Sequence, residues 1–305
     1  MSANKIGMAR LILLTLVSII LVSGCLEGEK TDLNYPIIQS FNYNFRLQNN
    51  LNRTIPKTDI NLYLPLTKTS SQRLLDHSVI GLDSSSARVL DDGLDNKLLS
   101  LSLQELPAGY STTLKIATTI GFSKEPVELK DVDINRYLLK ANSGKALIER
   151  LNIEFLAEDS LTKKVQKLSR ALSSSDVVFD GDNAESYDVE YSGINDGMTD
   201  KFASDCLQQV DRFIAGARVM DIPTRALVGF VKKEEQGALV LTCWPEVYNQ
   251  SHWQMVDLVD HKLINKSSGS IIAMRVLISL EDHRQSQLSD LLSEGYGLNV
   301  SYAVN

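Results

Sequence analysis

Ser204-Asp205-Cys206-Leu207-Gln208 opens the stretch that decides the fold; Ala217-Arg218, Asp221-Ile222-Pro223-Thr224-Arg225 and Leu227-Val228-Gly229-Phe230 follow it. Asp205, with Gln208 three residues on, has the spacing of a capping box, and Leu207, Val210, Phe213, Ile214 and Ala217 fall on one helical stripe. The pattern predicts a buried helix with Cys206 in its first turn. Unpaired N–H groups and the helix dipole favour an anion there, which would lower a thiol's pKa. Arg218 and Arg225 lie near the end of this helix and the strand that follows it.

A second stretch completes the unit. Ala238 to Tyr248 reads as a strand with Ala238, Val240, Thr242, Trp244, Glu246 and Tyr248 on one face, and Trp253 to Asp257 reads as its hairpin partner. With a loop of two or four residues around Asn249-Gln250, Asp257 falls opposite Thr242 or two residues away, on the same face. Cys243 alternates to the other face, which disfavours a bond to Cys206, since a disulfide needs converging Cβ vectors. In that pairing His252 lies opposite Val247, far from Thr242 and facing the other way. His261 lies beyond the strand, and His77 belongs to the preceding half of the chain; His283 is the fourth histidine.

These two stretches resemble the transglutaminase-like family. Cys206 and the Ala-Arg-x-x-x-Ile-Pro-x-Arg segment match its nucleophile half. Thr242-Cys243-Trp244-Pro245-Glu246-Val247-Tyr248, with Trp253-x-x-x-Asp257, is similar to its His-x-Trp-x-Glu-Val-Tyr strand and its aspartate. The resemblance implies an α+β fold with a papain-like core, Cys206 as the vestigial nucleophile and Asp257 as the orienting acid. Trp244, Glu246 and Trp253 become the framework of a cleft. An active member would form an acyl-enzyme through thiolate attack and pass the acyl group to an amine or water. Thr242 stands where that family carries histidine, and a hydroxyl is no base near neutral pH. The implied reading is a catalytically degenerate domain; the alternative is an acyltransferase or protease that uses Cys206 with a non-standard base.

Upstream, period-2 alternation in Tyr43-Phe45-Leu47, Ile60-Leu62-Leu64 and Leu99-Leu101-Leu103, with turns at Asp91-Asp92-Gly93 and Pro107-Ala108-Gly109, predicts an antiparallel β-sandwich over 34–135. Residues 136–305 form the second domain. It starts with helical spacing through Leu147, Leu151, Phe155 and Leu156 after a break at Asn142-Ser143-Gly144, followed by a helix opening near Ser160. The Ser-, Asp-, Gly- and Asn-rich stretch from Ser173 to Asp200 reads as a long loop.

Residues 1–25 read as an address. Lys5 and Arg10 precede the apolar run Leu11–Val22, which is short for a bilayer span, and Leu21-Val22-Ser23-Gly24-Cys25 resembles a lipoprotein signal with Cys25 as the lipidated residue. Residues 26–33 serve as a tether. The expected location is the cell envelope, on the outer membrane facing the periplasm where there are two membranes. The formal net charge is −7, and removing Lys5 and Arg10 makes the remainder more negative still. An acidic body offers no footprint for nucleic acid. The sequence shows no metal-ligand spacing and no phosphate loop, so no cofactor is expected; the expected partners are a membrane, through Cys25, and an envelope protein, peptide or cell-wall chain.

Overall fold

The computed structural model describes residues 33–80, 87–91, 93–130, 132–140, 142–174, 199–232, 239–264, 271–277 and 298–304. The address and nearly all of the tether, including Cys25, lie outside the described residues, as do His283 and most of the expected 173–200 loop. The architecture is α+β, with antiparallel sheets and few helices, as the sequence predicts.

The first half builds two facing sheets. β1 (Ile37–Asn49), β3 (Gln72–Ile80) and β6 (Ser111–Phe122) form one, with β6 in the middle. β2 (Thr58–Tyr63), β4 (Ala87–Asp91) and β5 (Lys97–Leu103) form the other, with β5 central. Alternation sends Phe41, Leu47, Leu114, Ile116 and Ile120 of one sheet and Leu62, Leu99, Leu101 and Leu103 of the other into a single core. Gly109 ends the β5–β6 connection at φ +72°, a left-handed turn conformation that glycine adopts without steric cost.

The second half is a five-stranded sheet with helices on one side. β7 (Thr224–Lys232), β8 (Leu239–Asn249), β9 (His252–Asp257), β10 (Lys262–Ile264) and β11 (Ile271–Leu277) lie in the order β10-β9-β8-β7-β11. Among the described residues three α-helices precede it: α1 (Asn142–Leu151), α2 (Leu161–Ser174) and α3 (Thr199–Val219). Asn142-Ser143-Gly144 is not a break but the first turn of α1, because Gly144 packs so tightly on α3 that an added Cβ would lie 2.4 Å from the Ala215 carbonyl oxygen. The helix stops before Phe155 and Leu156, where Asn152 turns to φ +50°. Ser160 caps α2 as expected, its Oγ accepting from Lys163 N–H at 3.3 Å. Val165 and Leu168 of α2 and Phe213 and Ala217 of α3 pack with Val247 and Val256 of the sheet.

The boundary at residue 135 is not respected by the last strand. β12 (Leu298–Val304) leaves the second half and pairs with β1, Tyr43 opposite Val304 and Asn49 opposite Leu298. It completes the first sheet as β12-β1-β6-β3. Turn chemistry reads only local pairing, and this one spans the whole chain.

The two halves also meet along β11, an edge strand with N–H and C=O groups free of the sheet ladder. Leu66 N–H donates to the Ala273 carbonyl at 2.9 Å, and two side-chain amides take the rest. Gln72 donates from Nε2 to the Ala273 carbonyl and accepts Ala273 N–H at Oε1, both at 2.8 Å. Asn96 does the same for Val276, at 3.0 and 2.6 Å. Both amides are buried, so they act as a one-residue substitute for a neighbouring strand.

Candidate functional site

The five-stranded sheet has two unlike faces. On one, Ala226, Val228 and Cys243 meet Val210 and Ile214 of α3, and Val247 sits against Phe213. On the other, Leu227, Trp244, Trp253 and Ala273 pack with Tyr137 and Leu66, towards the first half of the chain. Alternation alone fixes which residues share a face; packing decides what each face meets.

Cys206 lies on the helical side. α3 begins at Thr199, so Cys206 is the eighth residue of the helix and not in its first turn. The dipole's effect falls off within the first turn, so that source of thiolate stabilisation does not reach it. Asp205 is likewise inside the helix and not at its cap. Cys206 is bonded to Cys243 of β8, with Cα atoms 5.9 Å apart, inside the range a disulfide needs. Cys243 N–H also points at the Cys206 sulfur, at 3.1 Å. The expected divergence of these cysteines is therefore corrected. Cys243 does turn away from Thr242 and Trp244, as alternation requires, but α3 packs on the Cys243 face.

Asp257 and Thr242 are on the other side of the sheet. The hairpin turns on Gln250-Ser251, pairing Asn249 with His252 and Glu246 with Met255. Carried on, that register sets Trp244 opposite Asp257 and Thr242 two residues further along, one of the two expected placements. Thr242 is half-buried and pairs with Gly229 of β7. Ile272 carbonyl and the Trp244 ring approach Gly229 so closely that a Cβ there would lie 2.0 and 2.9 Å from them. The Asp257 carboxylate is committed to the turn after β9, its Oδ1 accepting N–H from Val259 and Asp260, each at 2.9 Å. His252 pairs with Asn249 rather than with Val247, which takes it further from Thr242. His77 lies in β3 opposite Thr118, and His261 in the turn before β10, at φ +55°. The sheet thus separates Cys206 from Thr242 and Asp257.

What the structure does bring together is Trp244, Glu246 and Trp253. Arg225 Nε and Nη2 both donate to Glu246 Oε2, at 2.9 and 2.8 Å, and its guanidinium stacks 4.2 Å from the Trp253 ring centre. Both members of the pair are buried. Tyr137 and Tyr248 meet Trp253 edge-on, at 4.9 and 5.2 Å. Burial holds the Tyr137 hydroxyl above its ordinary pKa, partly opposed by the positive charge of Arg225. Arg218 is buried too, donating from Nε and Nη2 to the Thr224 carbonyl, so it braces the end of α3.

Trp244, Glu246 and Trp253 line a cavity of about 50 Å³ together with Ser70, Ser71 and Met255. Ser70 Oγ accepts Trp253 N–H at 2.8 Å, so the first half supplies one wall. Nothing local in the sequence links Ser70-Ser71 to this site, because 183 residues separate the bonded pair. Among the described residues no cluster of three or more His, Cys, Asp or Glu is placed to hold a metal, and no helix is long and apolar enough to cross a membrane.

Residues 152–258 match the model of the transglutaminase-like superfamily, from the end of α1 through β9. That segment includes Cys206, Thr242, Cys243 and Asp257. No curated protein matches the chain. Among solved structures, one described as "a Putative Cysteine Protease from Cytophaga hutchinsonii" is similar at 12% identity and a TM-score of 0.47, covering 88% of this chain and 90% of that one.

Proposed function

We propose that this chain is a transglutaminase-like lipoprotein of the cell envelope, tethered through lipid on Cys25, that binds an extended envelope chain and does not perform acyl transfer. One observation carries the reading: Cys206 is tied to Cys243 on the face of the sheet opposite Thr242 and Asp257. A thiol acting as a nucleophile needs a base within hydrogen-bond reach and a group that orients the base. Here the sulfur is in a bridge, the motif position of the base carries a hydroxyl, and the Asp257 carboxylate holds a turn. The aromatic strand and its hairpin keep a cavity, which supports a surviving role in binding.

The alternative, an acyltransferase or protease that works once Cys206 is freed, is favoured by the position of Cys206 within the matched segment, where it remains half-buried and not sealed in the core. Reduction followed by iodoacetamide labelling separates the two. Slow labelling of Cys206 with the pH profile of an ordinary thiol supports the silent domain. Rapid labelling with an inflection well below that range, together with incorporation of a labelled amine, overturns it. Co-sedimentation of the chain with envelope material, reduced or oxidised, tests the binding role itself.

A further inference from the structure

We propose that the cavity between the two halves is a subsite for the acetamido group of an N-acetylated amino sugar in an envelope glycan. This rests on the binding reading above and gives it a ligand class.

Size comes first. One water needs about 10–15 Å³ on this measure, so a cavity of about 50 Å³ receives a group of a few heavy atoms and not a whole ring. Chemistry comes next. Trp253 is 2% exposed, and its indole N–H has no acceptor among the described residues. Such a donor bears the full cost of desolvation until something accepts its proton. Glu246 supplies the complementary function: Arg225 places both of its bonds on Oε2, and Oε1 has no hydrogen-bond partner among the described residues. Of the remaining walls, one carries Ser70 and Ser71, and the other is apolar, built from the Trp244 ring, Met255, Ile271 and Ala273.

A secondary amide that ends in a methyl group satisfies all three conditions. Its carbonyl accepts from the Trp253 indole, its N–H donates to Glu246, and its methyl lies against the apolar wall. The primary amide of an asparagine or glutamine side chain has a single NH2 and no methyl. With that nitrogen on Glu246, the methyl's place is left to the chain that must leave the cavity; with it in the methyl's place, the donors face the apolar wall without a partner. A free amino sugar offers no carbonyl for the indole. The aromatic lining and the site's position at a junction of two bodies are general features of small-ligand pockets.

The chain has two tryptophans, and both line this cavity, so its intrinsic fluorescence and its two indole N–H resonances report on this place directly. The test titrates the chain with a tetramer of N-acetylglucosamine, with the deacetylated glucosamine tetramer, and with a glutamine-containing peptide. The acetylated tetramer is expected to move the Trp253 indole resonance and change the fluorescence, and the other two to leave both unchanged. Trp253→Phe, which keeps a ring for Arg225 to stack on, is expected to weaken binding about tenfold, the worth of one hydrogen bond. Should that variant fail to fold, the wild-type indole resonance decides alone. Unmoved tryptophans, an equal response to the deacetylated tetramer, or a response to the peptide instead would each overturn the proposal. If envelope material sediments with the chain while neither tryptophan responds to the acetylated tetramer, the subsite fails and the binding reading stands; if nothing binds, both fail.

Discussion

Cys206 of α3 is bonded to Cys243 of β8 across the face of the sheet that Asp257 does not share. The bridge joins a helix to a strand over a separation of 37 residues. In the chain-entropy account, closing a loop of that length stabilises a fold by about 4 kcal/mol. Cys206→Ser and Cys243→Ser are each expected to lose close to that amount in urea unfolding, and the double variant no more than either single one. Mass spectrometry after alkylation under denaturing conditions should find neither cysteine modified before reduction and both modified after it.

Thr242→His tests whether the missing histidine is the whole of the defect. Strand alternation places position 242 on the side of Trp244, with β8 itself between it and Cys206, so an imidazole there has no sulfur to deprotonate. After reduction, the variant is expected to incorporate a labelled amine at the background rate of the parent. A clear gain in rate would show that the two faces communicate and would return the site to catalysis.

Arg225 and Glu246 form a buried pair whose separation should be costly. Removing one partner leaves an uncompensated charge in a largely desolvated place, typically a loss of about 3–5 kcal/mol. Arg225→Ala and Glu246→Ala should each show a loss of that order in equilibrium unfolding. Combining them should cost clearly less than the sum, because the second removal takes away an already orphaned charge. Fluorescence should also respond to Arg225→Ala, since the guanidinium stacks on Trp253.

Much of this architecture is legible from side-chain periodicity. The alternation in β1, β2 and β5 gives the sandwich, the hairpin forms one residue beyond the expected Asn249-Gln250 loop, on Gln250-Ser251, and Ser160 announces α2. Alternation also sorts Cys243 from Thr242 correctly. It has no power to say which face of β8 the helix covers, and that is settled by Val210, Ile214 and Phe213 packing on Cys243 and Val247. The start of α3 is misplaced for a related reason: Asp205 and Gln208 have a capping spacing, but the helix already runs from Thr199. β12 and the Gln72–Ala273 contact are long-range pairings that no local pattern encodes.

Gln72 and Asn96 carry a prediction about how the halves hold together. Each amide accepts one buried N–H of β11 and donates to one buried C=O. Asn96→Ala strands both groups of Val276, whereas Gln72→Ala strands Ala273 N–H alone, because the Ala273 carbonyl keeps the Leu66 N–H at 2.9 Å. Buried groups left without partners cost about 1–3 kcal/mol each. Asn96→Ala is therefore expected to destabilise the protein on the order of 3 kcal/mol, and Gln72→Ala by about half as much. Because the contact joins the two halves, hydrogen exchange of Ala273 and Val276 amides should accelerate more than that of β8 in these variants.

Asp159 gives the chain a stability that depends on acid. Its carboxylate receives Lys163 at 2.7 Å and Lys167 at 2.6 Å, and it accepts the Leu156 N–H at 3.0 Å. Those bonds, the Lys163 one first, hold its pKa far below the ordinary carboxylate range. A carboxyl depressed on folding binds its proton more readily in the unfolded chain, so its contribution is fully present above the unfolded value, near pH 4, and is lost as the pH falls towards the folded one. Thermal melts from pH 7 to pH 2 should show the gap between the parent and Asp159→Asn widest at neutral pH and constant down to about pH 5. Below about pH 4 the gap should narrow, because protonation then removes from the parent what the substitution has already removed from the variant. A gap that stayed the same down to pH 2 would mean that the loop before α2 is held by its backbone geometry, with the two lysines contributing nothing.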